Sequence, residues 1–217
     1  QRLISKRLKG IPVAYLTNTK EFYGYQYMVN KDTLIPRPES ELFIDEFKKI
    51  KPENKTILDI GTGSGCLIIT AALLFPNNNF IGTDISSQAL KIAKQNSKIH
   101  RTQIDFLQGN LLLPANKKRI DIIFANLPYL TNNEMFEPSI KLEPKKALYG
   151  GKNGLELYKK LFQQISKQFS LTPLIFLEIN PQQEQKLKDL ISKYLPKARI
   201  KTIQDLNNQS RLVKIYC

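Results

Sequence analysis

The sequence predicts an α/β fold, with a mostly parallel sheet, helices on both faces and an antiparallel last strand. Three observations predict it. After Pro52, short apolar runs of strand length alternate with longer stretches of helical periodicity, the sequence form of a parallel sheet covered on both sides. A glycine-rich loop, Asp59-Ile60-Gly61-Thr62-Gly63-Ser64-Gly65, stands where the first of those runs turns into the first helical stretch. The final residues change to period-two alternation in two runs joined by turn-forming residues, which reads as a hairpin closing the sheet.

Each element has its own signal. Ahead of Pro52, aromatics at Tyr15, Phe22, Tyr23, Tyr25 and Tyr27 precede Ile35-Pro36-Arg37-Pro38-Glu39; this segment reads as a small hairpin leading into a helix at 39–50. Strands are expected at 55–60, 79–84, 104–108, 120–125 and 174–179, and the tail adds 198–204 and 211–216 around the turn Asp205-Leu206-Asn207-Asn208-Gln209-Ser210. A helix at 64–75 is heavily apolar, and one at 86–99 spaces Ala89, Leu90, Ile92, Ala93 and Ile99 helically. Ser86 is a natural N-cap for the second, and Pro76 ends the first. Further helices fit 152–170 and 181–195. There is no internal repeat and no low-complexity linker.

Composition narrows the function classes. At 217 residues the chain is one ordinary domain with enough length to bury a sheet-and-helix core. Thirty-three Lys plus Arg against nineteen Asp plus Glu give a net charge of +14, which draws a protein toward polyanions such as RNA; a lysine-, asparagine- and isoleucine-rich source bias produces the same excess. Cys66 and Cys217 are the only cysteines and His100 the only histidine, so a disulfide framework, a zinc cluster and histidine-driven nucleophilic catalysis are disfavoured, and no metal site is expected. His100 lies in a basic helix tail and reads as a solvated surface residue. No apolar run approaches the roughly 20 residues that span a bilayer, and the start lacks a signal-type core; a cytoplasmic, monomeric protein is expected. Position 1 is Gln rather than Met, so residues upstream are expected to be missing.

Two motifs carry the chemistry. Glycines at a strand-to-helix turn let the backbone approach a ligand, and the helix start offers free N–H groups. The spacing is neither G-x-G-x-x-G nor G-x-x-x-x-G-K-[ST], so nucleotide phosphate is disfavoured. Asp84 ends the second strand about 20 residues past the glycines, where a carboxylate can accept both ribose hydroxyls of an adenosyl group; it can equally cap the helix starting near Ser86. Asn110, at the end of the third strand, can meet an adenine amine, with Leu111 against the ring, or be an ordinary turn residue. Asn126-Leu127-Pro128-Tyr129 follows the apolar run ending at Ala125. The Asn126 side-chain carbonyl and the Leu127 backbone carbonyl can take up the two N–H bonds of a flat amide or exocyclic amine. Pro128 removes a competing donor and biases Leu127 toward an extended shape, and Tyr129 can pack on the flat group. Together the motifs point to a methyltransferase that holds S-adenosylmethionine in the first and a planar nitrogen in the second.

These residues resemble the HemK-type release factor glutamine methyltransferases over nearly the whole chain. The likeness runs through Lys9-Gly10-Ile11-Pro12-Val13-Ala14-Tyr15-Leu16, Glu21-Phe22-Tyr23-Gly24, Leu34 to Glu41, Asp59 to Gly65, Asp84-Ile85-Ser86, Asn126 to Tyr129, Glu143-Pro144, Ala147-Leu148, Gly150-Gly151, Gly154-Leu155 and Leu177-Glu178-Ile179. The resemblance implies a seven-stranded, Rossmann-like methyltransferase sheet over 51–217. It also implies an N-terminal hairpin and helix extension over 1–50, the remnant of a helical substrate-docking domain that is absent here. The implied reaction, part of translation termination, uses S-adenosylmethionine, leaves S-adenosylhomocysteine, and methylates the glutamine amide of the Gly-Gly-Gln motif in peptide chain release factors, free or on the ribosome. The implied catalytic set is Asn126, Leu127, Pro128 and Tyr129. The implied cofactor set is Asp59, Gly61, Thr62, Gly63, Ser64, Gly65, Asp84, Asn110, Leu111 and Asn126. Arg37 and Glu39 are either structural or substrate-facing. Leu127 stands where the family usually has Pro, and Asn110 where it usually has Asp. Asn-Leu-Pro-Tyr is also the form in ribosomal RNA adenine dimethyltransferases, so methylation of an RNA or DNA adenine amine is the alternative reading, and a binding module that has lost catalysis is a third.

Overall fold

The computed structural model describes residues 2–132, 134, 140–167 and 173–217. Two short helices open it, α1 (Arg2–Leu8) and α2 (Val13–Thr17), neither of which the apolar periodicity announced. They lead into a hairpin of β1 (Thr19–Phe22) and β2 (Tyr25–Met28). Its two-residue turn has Tyr23 at φ 53 and Gly24 at φ 78, the double positive φ that matches strand twist. A single 3-10 turn at Pro38–Ser40 then feeds α3 (Glu41–Ile50).

The rest alternates as expected: β3 (Thr56–Ile60), α4 (Cys66–Leu74), β4 (Asn79–Asp84), α5 (Ser87–Ile99), β5 (Asp105–Gln108), β6 (Ile122–Ala125), α6 (Lys145–Leu148), α7 (Glu156–Lys167), β7 (Leu174–Glu178), α8 (Glu184–Tyr194), β8 (Arg199–Gln204) and β9 (Ser210–Tyr216). Seven strands form one sheet in the order β5-β4-β3-β6-β7-β9-β8. The last strand, β9, is antiparallel to both neighbours and inserts between β7 and β8, a position that strand alternation alone does not specify.

Local chemistry explains the boundaries. Ser86 caps α5 by accepting from the Ala89 amide at 3.2 Å. Helix α4 starts at Cys66 rather than 64 because Gly65 is left-handed at φ 82, and it stops before Pro76. Helix α7 starts at Glu156 rather than 152: Gly154 has φ 73, and the Glu156 carboxylate takes the amides of Asn153 and Leu155 at 2.9 and 3.1 Å, as a helix N-terminus requires. The 168–170 end of that expected helix lies outside the described residues. In the last turn, Asp205 Oδ1 accepts from the Asn207 and Gln209 amides.

Every central strand is apolar on both faces, as a doubly covered sheet demands. Leu58 and Ile60 of β3 face the cluster built with Tyr158, Leu161 and Phe162 of α7 and Leu187 and Ile191 of α8. Ile57, one residue out of phase, faces Phe43 and Phe47 of α3, Leu67 and Ile68 of α4, and Phe22 and Tyr27 of the hairpin. Each such side chain contributes about 1.5–3 kcal/mol on burial, so the hairpin and α3 are fastened to the sheet by the same cluster that covers its face. Asn96, fully buried on α5, completes the attachment: it accepts from the Met28 amide at 2.7 Å and donates to the carbonyls of Met28 and Ser64 at 3.0 and 2.8 Å. His100 is a partly exposed residue, as expected, but it is not free of the fold. Its ring lies tilted at 4.9 Å from Tyr27 and its Nε2 lies 2.9 Å from the Gln26 carbonyl, so the end of α5, still partly exposed, also touches the hairpin.

Candidate active site

Sheet order decides where the motifs meet. The chain runs outward from β3 to β4 and β5, then returns to the other side of β3 with β6, which makes the carboxyl ends of β3 and β6 the switch point where α/β sheets bind ligands. Register aligns the residues at the carboxyl ends of the strands. Ile60 pairs with Thr83 and with Ala125, and Ala125 pairs with Leu177. The next residues are therefore Asp84, Gly61, Asn126 and Glu178, one from each of four adjacent strands, in a row along one edge. The glycine loop and the tetrapeptide are in contact: a Cβ on Gly61 would meet the Leu127 side chain at 3.4 Å and the Asn126 carbonyl at 3.9 Å.

The glycine loop is held from below. Asp59 is almost wholly buried and accepts from the Thr62 hydroxyl at 2.6 Å; burial pushes its carboxyl up to about 7. Thr62 and Ser64 are buried as well, so what this loop offers a ligand is its backbone. Gly65 does separate work, because a Cβ there would stand 2.9 Å from Ile69 and 3.2 Å from Ala93; its bareness lets α4 and α5 approach. Asp84 ties the turn before α5 to the glycine loop. One carboxylate oxygen accepts from the Ser86 amide at 2.8 Å and the other from the Gly63 amide at 3.0 Å. Asn110 is exposed, whereas Leu111, at φ 55, is 8% exposed and packs into the sheet core.

Around the tetrapeptide the hydrogen bonds leave a pattern. Asn126 Nδ2 donates to Ser40 Oγ and to Glu178 Oε2, both at 2.9 Å. Its Oδ1 takes no partner among the described residues. The Leu127 side chain is 3% exposed and turned into the core, while its carbonyl is likewise untaken among the described residues. The Tyr129 hydroxyl donates to Glu178 Oε1 at 3.3 Å and its carbonyl accepts from Gln183 Nε2 at 2.9 Å; burial raises its phenol above the usual range. Two glycines wrap this segment. A Cβ on Gly150 would lie 2.3 Å from the Pro128 carbonyl, and one on Gly154 2.2 Å from the Tyr129 carbonyl. Gly150→Ala is therefore expected to displace the tetrapeptide and lower turnover by at least about tenfold, the scale of a misplaced reacting geometry; steady-state kinetics on a variant shown to be folded checks it.

Ser40 carried no signal of its own in the sequence, and Glu178 had no assigned role. For Glu178 the signal was present: it ends an apolar run that enters the core, and a buried carboxyl needs partners. Arg37 proves to be tied within the fold, to the buried Glu143 carboxylate at 2.5 Å, and that carboxylate also accepts from the Ile35 amide at 3.0 Å. Glu39 is exposed. A wider hollow of about 1190 Å³, lined by Lys94, Lys98, Arg101, Lys118 and Arg119 among others, lies at the opposite edge, by the amino ends of β3 and β4. It shares no residue with the row above.

Known proteins of similar sequence and fold give the family. A methyltransferase domain model matches residues 51–213. The chain is 36% identical to the release factor glutamine methyltransferase of Enterococcus faecalis, over 96% of this chain and 77% of that one. It is 35% identical to the protein of the same name from Dictyoglomus turgidum, over 99% and 79%. Among solved structures, a methyltransferase from Pyrococcus furiosus superposes with a TM-score of 0.64 at 19% identity, covering 99% of this chain and 97% of that chain.

Proposed function

Because this chain belongs to the release factor glutamine methyltransferase family, we propose that it methylates the side-chain amide of the Gly-Gly-Gln glutamine in a peptide chain release factor. The observation that carries the reading is the spent and unspent halves of Asn126. Its donor end is tied to Ser40 and Glu178, so what it presents is an acceptor, next to a second acceptor on Leu127.

The edge of β3 and β4 suits the cofactor. Gly61 and Gly63 stand at φ 74 and 56, and a Cβ at Gly63 would find only the Gly61 carbonyl, at 3.9 Å, so the loop is free to lie against a ligand. On this reading Asp59, Thr62, Ser64 and Gly65 shape the loop, Asp84 takes the ribose, and Asn110 and Leu111 border the adenine. When bound, S-adenosylmethionine supplies a methyl carbon already activated by its sulfonium. The chain's task is then orientation rather than acid–base chemistry. Asn126 Oδ1 and the Leu127 carbonyl each accept one N–H of the primary amide, which directs the nitrogen lone pair and stabilises the positive charge it gains until one of those protons is lost to water. Pro128 keeps a donor out, and Tyr129 flanks the amide plane.

No helix among the described residues is long and apolar enough to cross a membrane. On this reading the enzyme acts as a cytoplasmic monomer, on a free or ribosome-bound factor. The names of the relatives favour glutamine over an adenine amine as the acceptor. Incubated with labelled S-adenosylmethionine and an equimolar mixture of release factor and ribosomal RNA, the protein is expected to label the factor alone; label in the RNA would overturn the assignment.

A further inference from the structure

We propose that Glu178 is the positioning group of the amide clamp: its carboxylate dictates which end of the Asn126 side chain faces the substrate. The role deepens the glutamine reading and rests on it for its kinetic arm.

Counting protons fixes the orientation. Glu178 is 4% exposed at the end of β7. Its Oε2 accepts from the Ser40 hydroxyl at 2.5 Å and from Asn126 Nδ2 at 2.9 Å, its Oε1 accepts from the Tyr129 hydroxyl at 3.3 Å, and its backbone carbonyl accepts from the Tyr158 hydroxyl. Ser40 has one proton and gives it to Glu178, so its oxygen can only accept from Asn126, which it does at 2.9 Å. Both Nδ2 protons are thereby placed, and Oδ1 is left facing outward. An Asn126 amide turned by 180° would set Oδ1 against an ionised carboxylate with no proton between them. That turned arrangement becomes tolerable when Glu178 carries a proton. Ionisation of this one buried carboxyl therefore selects an acceptor over a donor at the mouth of the clamp, and the same carboxyl holds the Tyr129 ring through its other oxygen.

The groups facing it come from every side: Glu39 and Ser40 ahead of α3, Asn126 and Tyr129 after β6, Tyr158 from α7, and Arg211 on β9, itself paired with Asp205. Burial raises the Glu178 carboxyl to about 6, with the hydrogen bonds from Ser40 and Tyr129 pulling down, Glu39 pushing up and Arg211 pulling down. The working form is the ionised one, so turnover is expected to fall as pH drops through that value.

The test uses two variants and two readouts. With cofactor saturating, wild-type kcat on a release factor is expected to show an acidic limb near pH 6. Glu178→Gln is expected to lower kcat at least about tenfold at about pH 8, to leave cofactor affinity unchanged, and to abolish the limb. Ser40→Ala removes a bond that favours the charged form, so its limb is expected to move to higher pH. The second readout needs no substrate: the Asn126 side-chain NH2 resonance in ¹⁵N-labelled protein is expected to titrate with the same midpoint in the wild type, at a higher midpoint in Ser40→Ala, and to be flat in Glu178→Gln. If the wild type methylates the factor while the variants share its profile and resonance, the positioning role is wrong and the glutamine reading stands. If the factor is never methylated, the glutamine reading falls and the resonance alone decides the role of Glu178. A Glu178→Gln chain that does not fold leaves the Ser40→Ala shift to decide: no shift overturns the proposal.

Discussion

Asn126→Ala is expected to lower turnover on the release factor by roughly 10²- to 10³-fold, the scale seen when one preorganised electrostatic contact to a developing charge is removed. On the proposed reading the interaction lost is made to the reacting amide, so cofactor affinity should change by less than about threefold. The deletion removes Oδ1, the side-chain acceptor of the pair, and also leaves Ser40 and Glu178 without the Nδ2 they now share. Single-turnover rates beside calorimetric cofactor titration separate the two effects. Undiminished turnover would remove Asn126 from the chemistry, whereas a parallel loss of cofactor binding would make it a wall of the cofactor site instead.

Asp84→Ala should give the opposite split. Two hydroxyl hydrogen bonds to a carboxylate contribute roughly 3 kcal/mol together, so cofactor affinity is expected to drop about 100-fold. The loss also frees the Gly63 amide, which Asp84 now holds at 3.0 Å, and so loosens the loop as well as the ribose contact. Turnover at saturating cofactor should recover to near the wild-type value, since among the described residues Asp84 makes no hydrogen bond to Asn126 or Leu127. Titration calorimetry with S-adenosylhomocysteine measures the first effect. An Asp84→Ala protein that binds as tightly as the wild type would reduce Asp84 to the helix-turn role it plays toward Ser86.

Legibility in the sequence tracks the range of each signal. Strand and helix positions were readable because burial on both faces writes a continuous apolar run, as in Ile122–Ala125, and one-sided burial writes a helical stripe, as in Ala89, Leu90 and Ala93 of α5. The glycine loop and the tetrapeptide were readable because each is contiguous. Their adjacency was not, since it depends on β6 returning beside β3. Nor was the role of Glu178, whose partners Ser40 and Asn126 are 138 and 52 residues away in sequence. The late start of α7 was obscured for a local reason: Glu156 reaches back to cap Asn153 and Leu155, which a periodic pattern does not reveal. The hairpin contact of His100 was missed because its basic neighbours describe the exposed side of α5, while its ring turns toward Tyr27 on the hairpin.

The geometry of the amide clamp is open to direct observation. A crystal of this chain with S-adenosylhomocysteine and a peptide containing Gly-Gly-Gln is expected to place the glutamine amide nitrogen within about 2.6–3.2 Å of both Asn126 Oδ1 and the Leu127 carbonyl. A glutamine held through its carbonyl oxygen by Asn126 Nδ2, or seated away from the edge shared by β3 and β6, would contradict the account.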